Sequence, residues 1–181
     1  MRRTIGTLAP GLALVAALSA CGGDPAPRFE AEPSAEPTTA SPSASAEPEP
    51  WEERTDDGAV AFVAHWVAEF NKMRATGDTS ELLKLSTDRC ETCTNFVEYT
   101  DQIFSSGGSL ETEGWSLISV SQPAEENSDR PIISMRVDQA PQVLRESGTA
   151  EPEKFTGGKA NFVAHLRWGD GRWLMHRLDA A

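Results

Sequence analysis

Cysteine is scarce, with three in 181 residues: Cys21, Cys90 and Cys93. The three histidines do not make up the four ligands that a structural zinc site takes, usually from two close pairs. Tyrosine occurs once, at Tyr99. No apolar run reaches the roughly 20 residues of a membrane-spanning helix. No Ser-His-Asp order, phosphate-cradling glycine loop or paired carboxylate set rises above chance, so no catalytic residue, cofactor site or metal site is assigned. Basic residues are also few. From Cys21 onward 14 of them face 28 acidic ones, a formal charge of −14. That excludes nucleic acid, whose affinity comes from cations neutralising phosphates, and a polybasic membrane-hugging surface. A cationic partner is compatible with the balance, and so is plain solubility.

What is present begins at the N-terminus. Arg2 and Arg3 precede "LAPGLALVAALSA", a short apolar run ending in small residues. This is the order of a secretory signal, and Pro10 and Gly11 argue further against a spanning helix. Leu18-Ser19-Ala20-Cys21 resembles the lipobox of bacterial lipoproteins. The resemblance implies a signal peptide over 1–20, cleavage before Cys21, and a diacylglycerol on its sulfur. The lipid bilayer is then a partner, and the protein stands on the extracytoplasmic face of the cell membrane. Two acyl chains anchor stably where one is marginal.

Residues 22–57 are rich in Pro, Ser, Ala and Glu, with ten acidic and two basic side chains. Few large apolar side chains offset the entropy of ordering them, so 21–57 reads as a disordered acidic tether. Trp51, near its end, is placed against the domain edge. Residues 58–181 remain as one domain of formal charge −6.

Within that domain Ala59, Phe62, Val63, Trp66, Phe70 and Met73 recur at helical spacing, with Val67 on the flank. Asp56 or Asp57 is the expected cap, Gly77 the stop, and His65 a solvent-facing position. "TSELLKLS" predicts a short second helix with Leu82, Leu83 and Leu85 inward. A third runs from Glu91 to Phe104, closed by Gly107-Gly108. Beyond Gly108 the period becomes two. "GWSLISVSQ", "RPIISMRVDQ" and "KANFVAHLRWGDGRWLMHRLD" predict strands, the last folded at Gly169-Asp170-Gly171 into a hairpin. Residues 139–158 are left open. Helices first and antiparallel strands after them make an α+β domain.

"CETC" admits three readings. A thioredoxin-like redox site would follow a strand rather than a helix, and Glu91 and Glu98 would raise a thiol pKa. Zinc lacks ligands. A disulfide between Cys90 and Cys93 suits an exported chain whose third cysteine carries lipid, and it is the preferred reading. Its function would be to pin the turn between the second and third helices.

"AFVAHWVAEFNKMRATGDTSELLKLSTDRCETC", with an aromatic helix, "SGG" (106–108) and Trp-rich final strands, resembles a family of actinobacterial envelope lipoproteins of unassigned function. The fold this implies is an NTF2-like cone, a curved antiparallel sheet wrapped round N-terminal helices. If strand faces converge inside it, Arg136, Asp138 and His176 would supply polar groups to a mostly apolar pocket; the preferred placement for His165, Arg167, Arg136 and Asp138 is the wet face of a half-covered sheet. Trp115, Trp168 and Trp173 read as packing. The expected function is a non-enzymatic binding or assembly module, its partner an envelope protein, a wall component or a small ligand. An enzyme with an acid/base residue in the cone, and a redox lipoprotein using Cys90 and Cys93, are the alternatives.

Overall fold

The structure, a computed structural model, describes residues 48–126 and 128–181. The signal-like segment, Cys21 and the expected tether up to residue 47 lie outside the described residues.

Helix α1 (Asp56–Thr76) forms where the apolar stripe runs, and it buries Phe62, Val63, Trp66, Phe70 and Met73. Large side chains so enclosed stabilise the fold by about 1.5–3 kcal/mol each. The cap is Thr55 rather than Asp56 or Asp57: its Oγ1 accepts from the Gly58 amide at 2.9 Å. The two aspartates instead occupy the first turn, where their charge suits the helix dipole. Helix α2 (Ser80–Lys84) is one turn and a half. Leu82 is buried, whereas Leu83 is half-exposed, because a single helical turn has only one inward face. Helix α3 (Glu91–Ser105) follows, with Cys90 at its cap.

Packing starts ahead of residue 58. A 3-10 turn, Pro50–Glu52, lays Trp51 flat on His65, ring centroids 4.2 Å apart. His65 is therefore half-covered and does not face open solvent. Trp173 Nε1 donates to the Glu53 carbonyl at 2.8 Å.

The strands are β1 (Ser109–Thr112), β2 (Trp115–Val120), β3 (Ile132–Gln139), β4 (Gln142–Arg145), β5 (Glu153–Phe155), β6 (Gly158–Gly169) and β7 (Arg172–Ala180). They pair antiparallel as β1-β4-β5 and β2-β3-β6-β7. Only Glu113-Gly114, Ala140-Pro141 and Thr156-Gly157 separate β1 from β2, β3 from β4 and β5 from β6. These are three long strands bent together along one crease. Gly114 bends with φ +84°, and a Cβ there would lie 2.3 Å from Asn71 Oδ1. At Gly157 a Cβ would lie 2.0 Å from the Gln139 carbonyl oxygen. Both positions need glycine. The open stretch 139–158 is thus the far side of the crease, a β4–β5 hairpin.

Helices packed first, then antiparallel strands bent round them, form the NTF2-like α+β architecture that the resemblance implied. Trp115 and Trp173 are buried in its core and Trp168 packs against it.

Candidate functional site

The crease leaves a hollow of about 380 Å³ between its inner side and helices α1 and α3. Aromatic rings line it. Phe70 lies 4.5 Å from Trp115 and 4.8 Å from Phe96, centroid to centroid, and Phe155 adds a rim. Offset contacts of this kind stiffen the wall beyond simple burial.

Asn71 holds the wall in place. Its Nδ2 donates to the Trp115 carbonyl and its Oδ1 accepts from the Trp115 amide, both at 2.8 Å. One side chain thus satisfies both backbone groups at the point where the strand breaks.

One charge enters the hollow. Arg74, one turn beyond Phe70, places its guanidinium 5.4 Å over the Phe70 ring and donates to Gln142 Oε1. Burial pulls its pKa below the usual guanidinium range. Among the described residues no carboxylate forms an ion pair with it. Burial also pushes the Tyr99 phenol up, with Glu146 and Glu153 adding to the effect, so the hydroxyl stays a neutral donor. Gln139, Gln142, Thr100 and Thr156 complete the polar part, and the lining holds no Asp, Glu, His, Lys or Cys. The size and makeup of this hollow match those of sites that hold a small, largely apolar molecule and orient it by a few polar contacts.

Arg136, Asp138 and His176, the alternative pocket residues, do not line this cavity, and Arg136 and Asp138 take the preferred solvent-facing placement. Strand β3 alternates so that Ile133, Met135 and Val137 are buried, which turns Arg136 and Asp138 to solvent on the outer face. His176 misses the cavity for a different reason. His165 pairs with Arg177 and Leu166 with Met175, which leaves His176 as the extra residue of a β-bulge. The bulge breaks the alternation with Leu178. His176 instead meets Thr87, Oγ1 to Nδ1 3.1 Å, on the outer side.

Arg74, Gln142 and Phe155 were not singled out by sequence reasoning. A signal exists for Arg74, a cation at i+4 from Phe70 inside an apolar stripe. Gln142 is 68 residues away from it, and only the crease joins them.

Cys90 and Cys93 are bonded to each other, Cα atoms 5.2 Å apart and both side chains buried. The Cys90 sulfur also accepts from the Cys93 amide at the helix start. Among the described residues no group of three or more His, Cys, Asp or Glu is placed to hold a metal ion, and no helix is long and apolar enough to cross a membrane.

The intermembrane-space region of the chloroplast protein ARC6 is similar in structure, with TM-score 0.51 and 12% identity over 68% of this chain and 93% of that one. A likeness at that identity is one of fold alone. An NTF2-like protein with a cystatin-like fold from Novosphingobium aromaticivorans matches at TM-score 0.40 and 10% identity, over 67% of this chain and 79% of its own. A Nostoc punctiforme protein of unknown function with a cystatin-like fold matches at 0.38 and 14%, over 66% and 87%. No curated protein matches the chain in sequence. The family model described as "Family of unknown function (DUF6318)" matches residues 38–179.

Proposed function

The chain belongs to this family of unknown function, so membership brings no activity with it, and we propose from its own residues that it is an extracytoplasmic lipoprotein whose domain binds a small amphipathic anion. The observation that carries the binding is Arg74: a guanidinium drawn out of water, without a carboxylate partner among the described residues, at the edge of an aromatic hollow. A desolvated charge of this kind gains most from a ligand carboxylate set bidentately against it. Aromatic walls supply the contact for an apolar body.

The lining supports binding over catalysis. Arg74 and Tyr99 are its only titratable groups, and neither is moved to where it would exchange a proton near neutral pH. The buried bridge supports a structural role for Cys90 and Cys93 over a redox one, since exchange needs an accessible sulfur. Attachment through Cys21 rests on Leu18-Ser19-Ala20-Cys21 and the signal before it.

Titration calorimetry of the full chain with phenylacetate and naphthylacetate tests the site. Saturable binding is expected, weakened at least about tenfold by Arg74→Met, which keeps the bulk and removes the charge. Absence of binding, or binding indifferent to R74M, refutes the reading. Globomycin, which blocks the lipoprotein signal peptidase, should leave a larger precursor on a gel; an unshifted band refutes the anchor.

A further inference from the structure

The domain carries formal charge −6 over residues 58–181, yet its cations are not evenly spread. On the outer side of the sheet four segments meet around a second hollow, of about 470 Å³, and bring Arg89, Arg130, Arg167, His165 and His176 to its walls. The convergence is built by the backbone. The segment between α2 and α3 runs beside β7: Met175 N donates to Leu85 O and Thr87 N to Met175 O, each at 2.9 Å. This delivers Arg89. The chain entering β3 extends the sheet beside β6, as Trp168 N donates to Asp129 O and Leu166 N to Pro131 O. This delivers Arg130. His165 and Arg167 stand on β6, and the bulge turns His176 toward them.

Two carboxylates nearby, Asp129 and Asp179, are engaged with other partners. Asp129 is held by Arg54, and Asp179 by Arg177 and His165. Among the described residues no carboxylate forms an ion pair with Arg89, Arg130 or Arg167. Three guanidiniums around one hollow call for an anion with more than one negative charge and several acceptor oxygens. A phosphate group offers up to about two charges and three terminal oxygens. A carboxylate offers one charge and two oxygens.

We propose that the groove formed by Arg89, Arg130, Arg167 and His176 is a binding site for a phosphate group. It is independent of the aromatic cavity on the inner side of the sheet. Its electrostatics agree with the geometry: burial first, then Arg167, Arg89, Arg130 and Arg177, hold the His176 imidazole below its ordinary pKa. A bound phosphate reverses that influence and draws a proton onto the ring.

The full chain is titrated with inorganic phosphate and with phenyl phosphate, and tested by flotation with vesicles of phosphatidylcholine alone or mixed equally with phosphatidic acid. The expected result is saturable phosphate binding. It should fall at least about tenfold in the double variant Arg130→Gln/Arg167→Gln and persist in Arg136→Gln, an arginine of the same outer face outside the groove. These arginines are exposed, so folding is retained, and circular dichroism checks it. Binding to soluble phosphates assigns a free phosphate ester, and binding only to phosphatidic acid vesicles assigns a lipid headgroup; either result supports the site. The histidine carbon resonances should show the His176 pKa rising on saturation. No binding in either format, equal binding by the double variant, or tighter binding of citrate than of phosphate overturns the proposal.

Discussion

Asn71 lies far along α1 from the nearest strand in sequence, yet it alone satisfies the Trp115 amide and carbonyl at the crease. Asn71→Ala should destabilise the domain by about 2–4 kcal/mol, because it strands two enclosed backbone groups at once. Urea unfolding measures this. The titration of His176 gives a second expectation. Its folded pKa is depressed below the ordinary 6.5, chiefly by burial and then by Arg167, Arg89, Arg130 and Arg177. Between the folded value and 6.5 the unfolded chain holds the extra proton, so acid favours unfolding there. The contribution is complete above 6.5 and is lost as pH falls through the folded value. Stability measured against pH should therefore rise through that window in the native chain and run flatter there in His176→Gln.

Among the elements, the Cys90–Cys93 bridge does two things that can be separated. It ties the loop before α3, and its sulfur caps the helix. Replacing both cysteines by serine removes the tie but leaves a better capping group, since a hydroxyl accepts more strongly than a sulfur. The loss should be small, about 1–2 kcal/mol, as the closed loop is very short; a fall in melting temperature of a few degrees checks it. Periodicity was enough to place α1 and the β6–β7 hairpin, because each has one buried face over many residues. Three kinds of feature escaped it. The crease depends on two-residue breaks in three strands lining up. The β4–β5 hairpin is too short and too exposed to show a pattern. A bulge shifts every residue beyond it to the other face, which is why His176 did not follow Leu178 inward. The cavity was legible as an expected hollow of the fold, but its polar groups come from α1, α3 and the far side of the crease, whose meeting no local pattern encodes.

At the scale of the molecule, the sheet divides two chemistries. Its inner side offers aromatic rings and one half-desolvated cation, and its outer side a groove of arginines. A ligand on one side need not displace a ligand on the other. The chain enters from the N-terminal side across a set of short contacts: Trp51 on His65, the Glu53 carbonyl on Trp173, and Arg54 on Asp129 at 2.6 Å. Arg54 and Asp129 are exposed, so this pair is a weak one, worth at most about 1 kcal/mol. Seen mechanically, these contacts form a fuse in series with the core. A pull along the N-terminal segment loads these contacts along with the core, and they give way first, peeling residues 48–55 at a force below that which unfolds α1 or the sheet. That releases roughly 30 Å of chain at about 3.3–3.6 Å per residue. Optical-trap stretching from the N-terminus should show a low-force step of that length ahead of global unfolding, and Trp51→Ala should abolish it. The fold then survives a tug that its entry segment does not.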